Sequence, residues 1–402
     1  MDTVSDDIFR GLTVLSLEQA TVLPYLTLRL AQDGVRIIRL EHPVMCDPNR
    51  MIGEPFMEGE DKMNSYFFAI NCGKEALTLN LKDPRAQELL RRLIVELDVD
   101  VFSTNQLPKN YGPLGISYEA LAAVKPDLIW VGLTGFGPDS NEAAYDPILQ
   151  ARGGLMDLTG EAGADPQVVG IPLPDMGTSE HAYGQIMKAL YKRALTGKGS
   201  RIDVAMIDST TSWLTQPITM AMTFDRPMTR RGNTHEFFGP VSVFPTADSY
   251  VYVALGNDVQ WQRVLAVPGF EGLADPAYET NAGRIVDMLA LNVKLAECTR
   301  TYSTPALLET FRAATIPIAK VQGVLEVCED PAVKPKLLHS TDPRTGFQVT
   351  LAPPPVMTEF LKTHDQTMSF PPRHGEHNAA IYGGILGMSD AELELLRTEG
   401  VI

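Results

Sequence analysis

The sequence predicts an α/β fold, a doubly wound sheet followed by a second, smaller α+β domain. Three observations carry this expectation. Short apolar runs alternate with amphipathic helical stripes up to about residue 140; the first strand, helix and strand fit into about thirty residues; and near Thr223 the texture turns polar and turn-rich.

In order along the chain, Gly11 to Leu17 is a short apolar run that reads as the first strand. Pro24 opens a helix through about Gln32, Gly34 stops it, and Val35 to Glu41 resumes as a strand. Asp83 caps a helix with Pro84 in its first turn, and Ala86, Leu89, Leu90, Leu93, Ile94 and Leu97 form one apolar stripe. "VDVFSTN" and "DLIWVGLTGFG" read as further strands. From Ser179 to about Leu195 a helical face recurs and Gly197 stops it, after which "RIDVAM" alternates as a strand and a helix runs from about Ser209 to Met222. Thr223 to Asn233 is a link. Beyond it come a strand, a turn and helices, one with a capped start at Thr304 and Pro305. The proline-rich "LAPPPV" and "FPPRHGEHN" predict an extended return to the first domain, so the expected division is 1–222, 223–328 and 329–402.

A chain of 402 residues with 44% apolar side chains has ample material for two cores. The formal charge is −16, from 50 acidic and 34 basic residues, which argues against nucleic acid as a partner. The start "MDTVSDDIFRG" is acidic rather than leader-like, and no apolar run approaches the roughly 18 residues of a membrane span. A cytosolic protein with no membrane partner is expected. Cys46, Cys72, Cys298 and Cys328 lack metal or disulfide spacing and read as ordinary thiols.

Several chemical signals are weak. Glu41 ends a strand as a ribose-binding acid does, but "EQATVLPY" after the first strand has no glycine, so a nicotinamide site is set aside. "RHGEH" (373–377) resembles metal-ligand spacing only loosely and reads as a solvated turn, and no metal is expected. Ser209 to Thr211 sit in no nucleophile elbow. Asp175, in "GIPLPDMGTSEHAYG", is more informative. A carboxylate at a helix start is either a cap or an ionised nucleophile kept charged by the helix dipole and free N–H groups; spacing alone favours the cap.

Ordered motifs then bring in a resemblance. "VLSLEQATVLPYLTLRLAQDGVRIIRLEHP", "INCGKEALTLNLKDP" with Asn71 and Lys74, "YDPILQARGGLMDLTG", "GKGSRIDVAM", "LGNDVQWQRV" and the ending "HGEHN…LRTEGVI" resemble family III CoA-transferases, a group that includes formyl-CoA and carnitine CoA-transferases and α-methylacyl-CoA racemases. The resemblance implies a Rossmann-like large domain made of both chain ends, a small middle domain, and a homodimer of interlocked rings. It implies that Asp175 is the catalytic nucleophile that forms an aspartyl-acyl anhydride from an acyl-CoA, with backbone N–H groups for the oxyanion. Acyl-CoA and a carboxylic acid are then the substrates, and no cofactor is needed beyond the coenzyme A they carry.

The same resemblance puts Arg39 and Lys74 near the CoA phosphates or adenine, an exposed lysine being the other reading of Lys74, and Asn105 and Gln106 near the pantetheine or thioester. Tyr145, Asp146 and Gln150 come from the Y-D-x-x-x-Q motif. Where many members read Ala-Gly-Pro after the first strand, this chain has Val22, Leu23 and Pro24. Tyr145 stands where the racemase branch has its histidine base, so racemisation is the lesser alternative. Three stretches, at 104–115, 135–161 and 172–182, are similar to members that move CoA between the two carboxyls of one dicarboxylate. Arg152, Arg230, Arg231 and His235 are then candidates for the second carboxylate, with solvated surface charge as the other reading.

Overall fold

The computed structural model describes residues 8–55 and 62–402. They gather into two compact units: the described residues up to Leu155 with Val168–Arg226 and Pro335–Ile402, and Met156–Gln167 with Pro227–Lys334. Met156–Gln167, read from sequence as part of the first domain, goes with the second. Gly232 N–H donates to Gly160 C=O (2.8 Å), and Arg230 reaches Asp157 Oδ1 (2.6 Å) and Ala164 C=O (3.0 Å).

The first unit is built on a six-stranded sheet: β1 (Thr13–Leu17), β2 (Arg36–Glu41), β3 (Lys74–Thr78), β4 (Val101–Thr104), β5 (Ile129–Thr134) and β6 (Ser200–Ala205), in the order β3-β2-β1-β4-β5-β6. Every neighbouring pair is parallel. Its helices are α1 (Val22–Gln32), α2 (Ser65–Asn71), α3 (Pro84–Glu96), α4 (Tyr118–Ala122), α5 (Asp146–Arg152), α6 (Leu155–Leu158, at the boundary), α7 (Leu173–Thr196), α8 (Met206–Ser212) and α9 (Thr215–Phe224).

Strand side chains alternate between two cores. Leu15, Ile38, Phe102 and Trp130 join the α3 stripe on one face, while Val14, Ile37, Val101 and Ile129 meet α1 and α7 on the other. A parallel sheet covered on both faces explains why its strands read as continuous apolar runs. Each large apolar side chain buried this way contributes roughly 1.5–3 kcal/mol relative to exposure.

Boundaries differ from the sequence reading in four places. Helix α1 starts at Val22 rather than Pro24, and α7 starts at Leu173 rather than Ser179, because proline is tolerated in a first turn, whose N–H groups lack helical partners anyway. The helix expected over 209–222 is two helices, broken after Trp213. The start near Thr304 is capped by Ser303, with Thr304 and Pro305 already in the first turn.

In the second unit β7 (Val241–Pro245), β8 (Tyr250–Ala254) and β9 (Ile318–Lys320) form an antiparallel sheet around a core of Trp261, Phe270, Leu291, Leu295 and Phe311. Arg284 is buried there and donates to Gly239, Tyr278 and Glu279 carbonyls and to Asp258.

The chain then re-enters the first unit, through a hairpin of β10 (Leu338–Thr341) and β11 (Gln348–Leu351) and further helical turns rather than as a merely extended segment. It covers the free edge of β3. His377 exchanges bonds with Ala76, Asn378 Oδ1 accepts from Thr78 N–H (3.0 Å), and Tyr382 OH donates to Thr78 C=O (3.0 Å). Arg373 is buried on Asp342 (2.9 Å), so "RHGEH" is an internal anchor and not a solvated turn. Among the described residues no cluster of three metal-ligating side chains occurs, and no helix is long and apolar enough to cross a membrane. All four cysteines are free.

Candidate active site

In the order β3-β2-β1-β4-β5-β6 the connections reverse direction between β1 and β4, which opens a crevice beyond the carboxyl ends of those strands. A cavity of about 990 Å³ lies there, wholly within the first unit. Gln19 to Thr21 after β1, Asn105 to Leu107 after β4 and Leu133 to Gly135 at the end of β5 form its floor and one wall. Asn105 ties the first two loops together, accepting from Gln19 N–H (3.2 Å) and donating to Gln19 C=O (2.8 Å). The start of α5, the stretch Val168 to Pro172 and Asp175 form the other wall.

Asp146, buried in the first turn of α5, organises that wall. One of its oxygens accepts from Gln150 Nε2 (2.6 Å) and the other from Asp175 N–H (3.2 Å). Gln150 in turn accepts from Val169 N–H (2.8 Å), which fixes the 168–172 stretch beside the cavity.

Asp175 sits in the first turn of α7, at its third residue. The helix start offers its side chain no donor: Leu173 N–H goes to Ile171 C=O (2.8 Å), Pro174 has no N–H, and Asp175's own N–H is taken by Asp146. The carboxylate accepts no hydrogen bond from the described residues. Burial, and then the like charge of Asp146, push its pKa up to about 7. This corrects both sequence readings of Asp175. It is not a cap, and the helix start does not hold it strongly ionised, since its donors are already used. The result is a carboxylate poised near neutrality, bare, and facing a cavity whose lining is largely apolar.

The sequence-nominated residues divide. Asn105, Gln106, Tyr145, Asp146, Gln150 and Asp175 all line this cavity, Tyr145 at 74% exposure. Arg39 and Lys74 do not. Both are fully buried in a network in which Arg39 binds Asp47 Oδ2 (2.7 Å), Glu41 (3.2 Å) and Asn71, and Lys74 Nζ donates to Glu18 Oε1 (3.0 Å), Asn71 Oδ1 and Pro24 C=O (both 2.9 Å). Burial lowers Lys74 to about 8 against the pull of Glu18. Burial likewise opposes the charge of Arg39, but Glu41, Glu18 and Asp47 outweigh it. Their charges are taken by protein carboxylates, so the structure presents neither to a CoA phosphate.

Arg152 pairs with Glu142 (2.8 Å) over the Phe136 ring and points to solvent. In the second unit Arg230 pairs with Asp157, Arg231 with Glu236, and His235 accepts from Phe237 N–H (3.1 Å). None of the residues described as lining the cavity is Lys, Arg or His. Sequence reasoning missed Gln19, Thr21, Asn49, Asn110 and Thr134, which also line it. The available signal was the switch point itself, which marks the loops after the first and fourth strands whatever their composition.

Comparison with known proteins gives this geometry its context. Residues 9–378 match CoA-transferase family III. The chain is 30% identical over 381 residues to the succinate–glutarate CoA-transferase of Agrobacterium fabrum, over 92% of this chain and 94% of that protein. It is 30% identical over 368 residues to the succinyl-CoA:mesaconate CoA-transferase of Haloarcula marismortui, over 87% and 90% respectively. A CAIB/BAIF family protein from Brucella suis shares the fold with a TM-score of 0.82 and 31% identity, covering 94% of this chain and 99% of that one. A switch-point cavity holding a bare aspartate, in a chain matched to one family over nearly its whole length, leads to a single assignment: this protein belongs to CoA-transferase family III and is a CoA-transferase.

Proposed function

We propose that the protein transfers CoA between carboxyl groups of dicarboxylic acids of four or five carbons through an acyl anhydride on Asp175, and that its substrate is mesaconyl-CoA, moved from the C1 to the C4 carboxyl within one molecule. The observation that carries the mechanism is the bare Asp175 carboxylate in the apolar cavity. Its oxygen attacks the thioester carbon, the carbon–sulfur bond breaks, and CoA leaves as the thiolate. The thiolate then attacks the Asp175 carbonyl of the anhydride, which frees the diacid and leaves CoA on Asp175 as a thioester. The C4 carboxylate attacks that thioester, the thiolate leaves again, and its attack on the C4 carbonyl releases Asp175 as carboxylate, so two carbon–sulfur bonds break and two form. No water, proton or oxidant is consumed overall. An anhydride survives only where water is kept from it, so the mechanism requires bound substrate to fill the space between Asp175 and the exposed Val168 to Pro172 wall.

The substrate class draws on the relatives named for succinate, glutarate and mesaconate. Those names also favour a second reading, transfer from succinyl-CoA to a separate dicarboxylate. Incubation with mesaconyl-C1-CoA and labelled free acids separates the two. The C4 isomer without label in any product is the expected result; label in the CoA ester shows two-substrate transfer, and no isomer at all removes mesaconyl-CoA as substrate. Racemisation lacks its histidine, Tyr145 standing in that place.

We further propose a homodimer, acting in the cytosol. Helix α9 buries none of its residues and leaves Ile218, Met222 and Phe224 exposed, an apolar face that calls for a cover. Light scattering is expected to give twice the chain mass of 44.1 kDa; a monomer at micromolar concentration contradicts the proposal.

A further inference from the structure

The turn after β1 carries a strained residue. Ala20 has a φ of 61°, in the left-handed region where a side chain is disfavoured, and such residues persist only where their surroundings fix them. The fixing groups are identifiable. Ala20 N–H donates to Asp47 Oδ1 (3.0 Å), and Ala20 C=O accepts from Asn49 Nδ2 (2.6 Å). The same Asp47 oxygen accepts from Asn49 N–H (3.0 Å), while its other oxygen takes Arg39 Nη2 (2.7 Å). Asp47 is buried and does not line the cavity, whereas Gln19, Ala20, Thr21 and Asn49 do.

We propose that Asp47, with Asn49, is a positioning residue that locks the Gln19–Ala20–Thr21 turn into the shape acyl transfer requires, anchoring one wall of the cavity to the buried arginine and lysine network. This rests on the acyl-transfer reading of Asp175. The physical logic is leverage. A carboxylate already fixed by Arg39 cannot follow the turn, so the turn must follow it, and a wall displaced by about 1 Å costs on the order of 10²-fold in rate. The turn's two peptide groups are held from both flanks, by Asp47 and Asn49 on one and by Asn105 on the other, which leaves its side chains as the parts that address the substrate.

The test uses Asp47→Asn and Asn49→Ala, each with and without Ala20→Gly, since glycine takes a positive φ at no steric cost and should need the lock less. Three quantities are read: the single-turnover rate of acyl adduct formation on the protein from succinyl-CoA and mesaconyl-CoA, followed by intact mass; the Kd for free CoA; and the melting temperature. Asp47→Asn is expected to slow adduct formation about 10- to 100-fold with the CoA Kd within about threefold, and Ala20→Gly to recover at least about fivefold of that loss. A merely structural role for Asp47 predicts no recovery by glycine at position 20. Asn49→Ala lies outside the ion-pair network and carries the same test if Asp47→Asn does not fold. Native-rate adduct formation in both single variants, or a loss that glycine leaves untouched in both, overturns the positioning role while the acyl-transfer reading stands. No adduct on the unmodified protein with either ester overturns that reading, and the positioning role with it.

Discussion

Asp175→Ala is expected to lower kcat/KM for CoA exchange by about 10⁴-fold or more, the scale on which loss of a covalent nucleophile is felt, and to abolish the acyl adduct seen by intact mass. An adduct that persists in the variant would sink the anhydride mechanism. The pH profile adds an independent readout. With a pKa near 7, about one-hundredth of the molecules carry the charged nucleophile at pH 5, so log kcat/KM should rise with unit slope up to about pH 7 and then level off. Burial is the larger cause of the shift, so Asp146→Asn, which removes the like charge together with one of the two acceptor oxygens that hold Gln150 and Asp175 N–H, should move this limb to lower pH without returning it to the ordinary carboxylate range. Removing the Asp175 charge should also not destabilise the protein. The folded carboxyl titrates above its ordinary 3.8, so the folded state holds its proton more tightly than the unfolded one. Stability therefore falls as pH rises from about 4 to about 7 and stays lower above that. Asp175→Asn at pH 8 removes this penalty and should melt at or above the temperature of the native chain.

Arg39→Ala is expected to lower unfolding stability by about 3–5 kcal/mol, measured by urea denaturation, because it leaves Asp47 in the interior without a cation and takes one of two cations from each of Glu18 and Glu41. The experiment separates two roles for this residue. A contact to CoA phosphate would raise the CoA Kd and leave the urea midpoint in place, whereas a keystone of the buried network moves the midpoint first. Arg39 lies at 4.7 Å from the Phe67 ring centre and Arg50 at 3.8 Å, so the aromatic ring packs against both guanidinium groups and its packing goes with the charges.

What the sequence made legible follows from what is local. Strands β1, β2, β4 and β5 are largely apolar runs, β6 alternates, and α3 is a clean stripe behind Asp83 and Pro84, so periodicity finds them. Strand β3 reads Lys-Glu-Ala-Leu-Thr and hides, because its lysine is buried on Pro24 and Glu18, 50 and 56 positions away and outside any window. Arg39 and Lys74 misled because a cation in a strand invites a ligand: the Glu18 that neutralises Lys74 is 56 positions away, and the nearby Glu41 and Asp47 turn onto Arg39 only in the folded chain. Asp175 was found by motif order, but its ionisation depended on which N–H groups of the helix start were already spent, above all the one that Asp146 takes across 29 positions.

The covering of β3 by residues 377–382 has a consequence for how the molecule is made. Its bonding partners are translated about 300 residues apart, with all of Pro227–Lys334 in between. At about 5–20 residues per second that is roughly 15–60 s, and over about the last 170 of those residues, roughly 9–35 s, all six strands have been made while the β3 edge still waits for its cover. Residues 377–382 thus act as a latch on β3, and chains cut before Gly375 are expected to pair that bared edge with strands of other molecules, read as aggregation by light scattering.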